Sequence, residues 1–327
     1  MSVRIPTSND VLEAAERLSG KTVRTPVLRS DALDEIAGAQ LFFKCENLQL
    51  TGSFKIRGAT NRLLQIAPDQ RAGGVVAFSS GNHAQGVSRA ARLLGMPALI
   101  VMPSDAPGVK VEGVRADGAE IRFYDRNTES REAIAAAEAD MRDATLVPSF
   151  DDPYIVAGQG SCGVEFAGQM EELDGALDHL ICCTGGGGLI SGIALAFEAL
   201  SPSTRFWTAE PIGHDDWKRS LQAGRVQSNA AGTRSICDAI LTPEPGEITW
   251  QIGRRLFAGG LSVGDEEIRT AMRLAARHLK MVVEPGGAAA FACALADLPE
   301  DAKGKRVGVV LSGGNVDPDM FTRTLAG

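Results

Sequence analysis

The chain has no CxxC pair, no dense run of lysine and arginine, no apolar segment at its start and no long unbroken hydrophobic stretch. Each absence closes off a class of function. The six cysteines (45, 162, 182, 183, 237 and 293) lie mostly in apolar runs, the pattern of buried thiols in a reducing cytosol, and a cytoplasmic location is expected. Core packing also accounts for Cys182–Cys183 better than a reactive thiol does. A net charge of -8 disfavours nucleic acid, whose phosphates the surface would repel. The opening MSVRIPTSNDVLEAAERL lacks the apolar core of a secretion signal. The longest uncharged run, Leu180–Phe197, is broken by four consecutive glycines and reads as strand, turn and helix, not as a membrane span. Repeats, low-complexity segments and long linkers are absent as well.

What is present is an ordinary soluble composition, 44% hydrophobic and 23% charged, over 327 residues, enough for two domains or one with a subdomain. Short apolar runs alternate with amphipathic ones. Strands are expected at 75–79, 97–102, 119–124, 179–183, 205–210 and 306–312. Helices are expected at Asn82–Leu94, Gly108–Asp117, Ser130–Arg142, Leu189–Leu200 and near Asp215. This alternation means βαβ units and parallel sheets.

In such sheets ligands collect at the carboxyl ends of strands, and three polar, glycine-bearing stretches fall there. In SSGNHAQG (79–86), Gly81 allows a tight turn, and Asn82 and His83 open a helix whose free N–H groups favour an anion such as a carboxylate. An ordinary capping turn explains Ser80 and Gly81 but not so many hydrogen-bonding side chains together. In TGGGG (184–188), four glycines free their backbone N–H groups to converge on a phosphate. A dinucleotide fingerprint fails there because Ile190 and Ser191 stand where its last glycine belongs, although Glu210 could pass for a ribose-binding acid. The Walker pattern fails because no Lys-Ser/Thr follows. In SGGNVD (312–317), Ser312 places a hydroxyl at the sheet edge, by itself little more than a turn.

Lys55 sits between Phe54 and Ile56, where the pattern calls for burial. Alone it reads best as a lysine whose stem lies along a helix surface. Together with a phosphate cup and a late hydroxyl it suggests pyridoxal phosphate, which needs an amine for a Schiff base, donors for the phosphate and a partner for the ring nitrogen. Partial burial would lower the pKa of Lys55 and improve it as nucleophile and base.

The segments GSFKIRGA, SSGNHAQG, ESREAI, FDDPYIVAGQG, GGGGLISG, AEP with the later DD, VEPGGA and LSGGNVD, in this order, closely resemble the fold-type II pyridoxal-phosphate enzymes of the serine/threonine dehydratase and serine racemase branch. The likeness covers nearly the whole chain. It implies an α/β fold of two interleaved domains with parallel-rich twisted sheets flanked by helices: residues 1–51 and 148–327 a large cofactor-binding domain, 52–147 a small substrate-gripping one. It implies that Lys55 carries the cofactor, Phe54 packs on its ring, Asn82 bonds its 3-hydroxyl, Gly185, Gly186, Gly187 and Gly188 hold its phosphate, and Ser312 faces the pyridine nitrogen. Ser80, Asn82 and His83 would grip the substrate carboxylate, with Gln85 a weaker candidate. Ser80 also matches the racemase acid/base opposite the lysine. Arg131 matches a substrate-side arginine and reads equally as a solvated helix residue. Glu210, Asp216 and the backbone carbonyl of His214 would hold Mg²⁺, Ca²⁺ or Mn²⁺, hard ions suited to oxygen ligands; the alternative is a charged helix start. A homodimer is implied, and no regulatory domain or isoleucine inhibition.

One departure is Ala239, in SICDAI, where related racemases carry glycine; it leaves the substrate open, not the reaction. The expected reaction is elimination of water from a small 3-hydroxy amino acid (serine, threonine or 3-hydroxyaspartate), giving an imine and then a 2-oxo acid and ammonia. A neutral hydroxyl at Ser312 delocalises a carbanion less than an aspartate would and favours elimination over transamination. Racemisation with Lys55 and Ser80, β-replacement, and non-catalytic binding of cofactor or amino acid are the alternatives.

Overall fold

The computed structural model describes residues 3–106 and 108–327. Its strands are β1 (Val27–Leu28), β2 (Gln40–Cys45), β3 (Val75–Phe78), β4 (Ala98–Pro103), β5 (Glu120–Tyr124), β6 (Thr145–Leu146), β7 (His179–Cys183), β8 (Arg205–Pro211), β9 (Phe257–Val263) and β10 (Arg306–Leu311). They form a six-stranded sheet in the order β1-β2-β10-β7-β8-β9 and a four-stranded sheet in the order β5-β4-β3-β6. Every pairing is parallel except β1 with β2. Val309 of β10 sits between Phe43 of β2 and Ile181 of β7, at the centre of the larger sheet.

Helices cover both faces of each sheet, as the near-continuous apolar character of the strands demands. One face of the larger sheet packs on helices Asp265–Leu274 and Pro285–Ala296, where Phe43 and Phe291 meet edge to face at 4.9 Å. The other packs on Ser8–Leu18, Pro153–Glu172 and Gly188–Leu200. The last two approach so closely that a Cβ on Gly192 would lie 2.3 Å from the Val156 carbonyl oxygen. No described helix is long and apolar enough to cross a membrane, and the Leu180–Phe197 run is indeed β7, a turn and the start of Gly188–Leu200.

The anticipated strands and helices appear with ends shifted by a residue or two. β2 and β9 were not legible. β2 places Lys44 in the core, where Nζ reaches Thr25 O, Glu165 and Gln169. β9 is interrupted by Gly259 and Gly260 and is only partly buried.

Lys44 belongs to a charged cluster that anchors the helix Lys55–Leu64. Arg57, in its first turn, donates to Glu46 at 2.7 Å, to Glu165 at 2.8 Å and to the Val23 carbonyl at 3.2 Å. Burial alone would raise the Glu46 carboxyl, but the Arg57 charge overrides it and holds the pKa low. Removing one partner from such a cluster costs about 3–5 kcal/mol, because the others stay buried without a counter-charge.

Candidate active site

Three strand ends converge on one cavity of about 470 Å³. β3 delivers Ser79–Gly81, β7 the glycine turn, and β10 Ser312. The segment before Lys55 is stitched to the last of these: Phe54 N–H donates to Ser312 O at 3.2 Å, Gly314 N–H to Gly52 O at 2.8 Å, and Ser53 pairs with Gly313. Residues some 260 positions apart thus hold the lysine against the end of β10.

Phe54, Lys55, Ser80, Asn82, His83, Arg131, the four glycines and Ser312 all line this cavity. Lys55 Nζ donates to Ser149 O at 2.8 Å and lies 5.1 Å from the centre of the Phe54 ring. Burial lowers its pKa from 10.5 to about 8, partly opposed by the negative charge of Glu284. Ser312 ends β10 buried beside the Cys183 thiol. All six cysteines are free and buried.

In the glycine turn the carbonyls are occupied: Gly185 O accepts from Trp217 Nε1 at 2.8 Å and Gly186 O from Thr249 Oγ1 at 2.6 Å. The N–H groups of Gly185, Gly186 and Gly187 meet no protein acceptor among the described residues. Gly187 has φ 92°, and a Cβ there would lie 2.3 Å from the Trp217 ring. The turn therefore has to be glycine, and its free donors point to an anion.

Asn82 Nδ2 donates to Glu284 Oε1 at 2.5 Å, and Asn82 Oδ1 accepts from Asn315 at 2.8 Å. Burial raises the Glu284 carboxyl to about 7. The ring of His83 is engaged away from the helix N-terminus. Its Nε2 lies 3.0 Å from Val147 O, and burial together with the Lys55 charge lowers its pKa to about 3. With the ring neutral and its one proton given to Val147 O, the side chain has none left for a carboxylate; its backbone N–H, in the first turn of Asn82–Leu94, is free to serve. Gln85 does not line the cavity and instead accepts from Asn315 at 3.2 Å.

Arg131 pairs with its neighbour Glu132 at 2.7 Å, stacks over Phe78 and is half exposed. Ala239 borders the cavity, with its Cβ 3.2 Å from where a Cβ on Gly286 would stand. Sequence reasoning missed Lys110, Asp238 and Glu284, which also line the wall. The motifs SICDAI and VEPGGA contained Asp238 and Glu284; nothing about the helix lysine Lys110 marked it.

Glu210, His214 and Asp216 lie away from the cavity. Glu210 accepts from the N–H groups of Trp217 and Lys218 at 3.0 and 2.9 Å, capping the helix Asp216–Ala223. Its carboxyl is driven well upward by burial and by the charge of Asp216; burial likewise raises Asp216, to about 6. Asp216 Oδ2 has no hydrogen-bond partner, and the His214 carbonyl accepts no hydrogen bond from the described residues. No group of three or more His, Cys, Asp and Glu side chains converges among the described residues. Two crowded carboxylates and a free carbonyl are a donor set that fits a hard divalent cation.

A family model described as pyridoxal-phosphate dependent enzyme matches residues 18–313. The chain belongs to that family. It is 46% identical over 325 residues to an L-threo-3-hydroxyaspartate ammonia-lyase of a Pseudomonas species, covering 99% of this chain and 100% of that one. It is 39% identical to the serine racemase of Schizosaccharomyces pombe, over 98% of each chain. Among solved structures, maize serine racemase superposes with a TM-score of 0.92 at 38% identity, over 99% of this chain and 98% of that one. These are fold-type II enzymes, and the parallel-rich architecture agrees.

The cavity fits the cofactor that the family is named for. The unpaired N–H groups of the glycine turn suit its phosphate, Phe54 its ring, and the depressed pKa of Lys55 the attack on its aldehyde.

Proposed function

We propose that the enzyme is a pyridoxal-phosphate-dependent dehydratase that eliminates water from a 3-hydroxy amino acid and releases a 2-oxo acid and ammonia. The observation that carries this reading is the meeting, in one cavity, of a lysine with a depressed pKa, a glycine turn with free donors and a neutral hydroxyl at the end of β10. The likeness to an ammonia-lyase along the full chain supports it.

Bound pyridoxal phosphate supplies an electron sink that acidifies the Cα–H of an attached amino acid. The residues do the rest. The backbone N–H groups of Asn82 and His83 hold the α-carboxylate at a helix N-terminus, with Ser80 beside them. Lys55, its pKa lowered to about 8, takes the Cα proton and returns one to the departing hydroxyl. Asn82, held by Glu284 and Asn315, would orient the cofactor's 3-oxygen. Ser312 would offer the ring nitrogen a neutral hydroxyl, which would limit delocalisation and favour loss of water. Residues 52–147 would act as the small substrate-gripping domain, and 1–51 with 148–327 as the large one.

A second reading is racemisation, supported by Ser80 on the cavity wall and by the likeness to serine racemases. Mg²⁺, Ca²⁺ or Mn²⁺ is assigned a structural place at Glu210, Asp216 and the His214 carbonyl. A homodimer is supported by the exposed Leu48, Leu50 and Val282, where Asn47 bonds Val282 O and brings the two segments together. Free buried thiols support a reducing cytoplasm.

The test is 2-oxo acid release by the holoenzyme from L-serine, L-threonine and the 3-hydroxyaspartate stereoisomers. Release from one of them supports elimination. Inversion of recovered substrate without release supports racemisation.

A further inference from the structure

A 3-hydroxy amino acid with a second carboxylate brings two anionic ends into one cavity. The helix N-terminus at Asn82 accounts for one. Three lysine and arginine cations line the described wall: Lys55, Lys110 and Arg131. Lys55 is committed to the cofactor and the Cα proton. Arg131 is 50% exposed and satisfied by its sequence neighbour Glu132.

Lys110 differs. Its side chain is only 18% exposed, and its Nζ lies 2.7 Å from the Asp238 carboxylate, which is 61% exposed. The partners come from different sheets' connections: Lys110 from the helix Gly108–Ala116 between β4 and β5, Asp238 from the turn Asp238–Ile240 between β8 and β9. The other carboxylates on the wall are engaged: Glu132 pairs with Arg131, Asp151 accepts from the N–H groups of Glu247, Ile248 and Thr249, and Glu284 accepts from Asn82.

An enclosed cation held by a solvated carboxylate is an exchangeable pair. Asp238 can leave for water at little cost, as exposed ion-pair partners do. Lys110, more enclosed, is costly to leave without a counter-charge. A substrate carboxylate that replaces Asp238 keeps Lys110 paired and moves one negative charge off the wall.

We propose that Lys110 is the subsite for the distal carboxylate of a dicarboxylic 3-hydroxy amino acid, and that Asp238 is the internal stand-in displaced when that substrate binds. This rests on the dehydratase reading and names its substrate class. It also selects Lys110 over Arg131 as the discriminating cation.

The test compares wild-type, Lys110→Met, Asp238→Asn and Arg131→Met holoenzymes on 3-hydroxyaspartate and L-serine. The ratio of the two kcat/KM values falls about tenfold or more in Lys110→Met. It rises in Asp238→Asn and changes less in Arg131→Met. An unchanged ratio in Lys110→Met, a larger fall in Arg131→Met, or no rise in Asp238→Asn overturns the proposal. If wild-type enzyme eliminates from neither of these nor from L-threonine, the dehydratase reading fails on its own, and the subsite is read from binding. Succinate then perturbs the bound-cofactor absorbance at lower concentration than butyrate, and Lys110→Met abolishes that preference; equal response to the two acids overturns the subsite.

Discussion

Asn82 and Glu284, 202 residues apart, share a 2.5 Å hydrogen bond on the wall of the cofactor cavity, the carboxamide donating and the carboxylate accepting. With Asn315 donating to the other end of the carboxamide, the orientation of Asn82 is set by its neighbours. Burial lifts the Glu284 carboxyl from 4.5 to about 7. Between those values the folded chain keeps a proton that the unfolded chain has lost, so stability falls as pH rises through the window. Glu284→Gln keeps an acceptor for Asn82 and removes the charge. The wild-type stability should therefore decline relative to the variant from roughly pH 5 to pH 8, by at most about 3 kcal/mol. Thermal melts of both proteins across that range check this; a flat difference contradicts the raised carboxyl.

Lys55 attacks the cofactor aldehyde only as a neutral amine. With its pKa lowered to about 8, chiefly by burial, the rate at which apoprotein takes up pyridoxal phosphate should rise with pH and level off above that value. A rise continuing toward 10.5, the ordinary lysine value, would mean that the amine is solvated. Lys55→Ala should abolish the yellow lysine-bound form and lower elimination by roughly a thousandfold or more.

The glycine turn makes an ordered prediction. Gly187 has a positive φ and faces the Trp217 ring, whereas a Cβ on Gly185 would come no closer than 3.1 Å to Ile240. Gly187→Ala should weaken pyridoxal phosphate binding by about tenfold or more, combining backbone strain with displacement of the turn. Gly185→Ala should do less. Cofactor titration followed by absorbance ranks them, and a reversed order would place the phosphate elsewhere.

Glu210 and Asp216 are two buried carboxyls whose pKa values are both raised, with one oxygen left unpartnered. A bound divalent cation should stabilise the fold by roughly 2.7 kcal/mol at a hundredfold excess over Kd. Mg²⁺ is expected to raise Tm by several degrees and a chelator to reverse it. Glu210→Gln should abolish the response; a melting temperature indifferent to Mg²⁺, Ca²⁺ and Mn²⁺ in wild-type protein removes the metal from the account.

What the sequence determined by itself was whatever is local. HLICC followed by four glycines and an apolar helix is strand, turn and helix in the chain as in the fold, because hydrophobic period and glycine freedom act over a few residues. The same holds for VVAFS and Asn82–Leu94; the resemblance carried by the motifs led to Lys55, the glycine turn and Ser312 being expected together, and they line one cavity. Tertiary structure decided what depends on distant partners. Lys44 breaks the apolar pattern of β2 and is tolerated only because Glu165 and Gln169, more than a hundred residues on, meet its charge. The ring of His83 is tied to the Val147 carbonyl, 64 residues on. Lys110 looks like any helix lysine until Asp238, 128 residues on, meets its charge at the cavity wall. A side chain's charge, proton and partner are set by the dielectric and the groups around it. Those surroundings are assembled only when the two sheets close over one cavity.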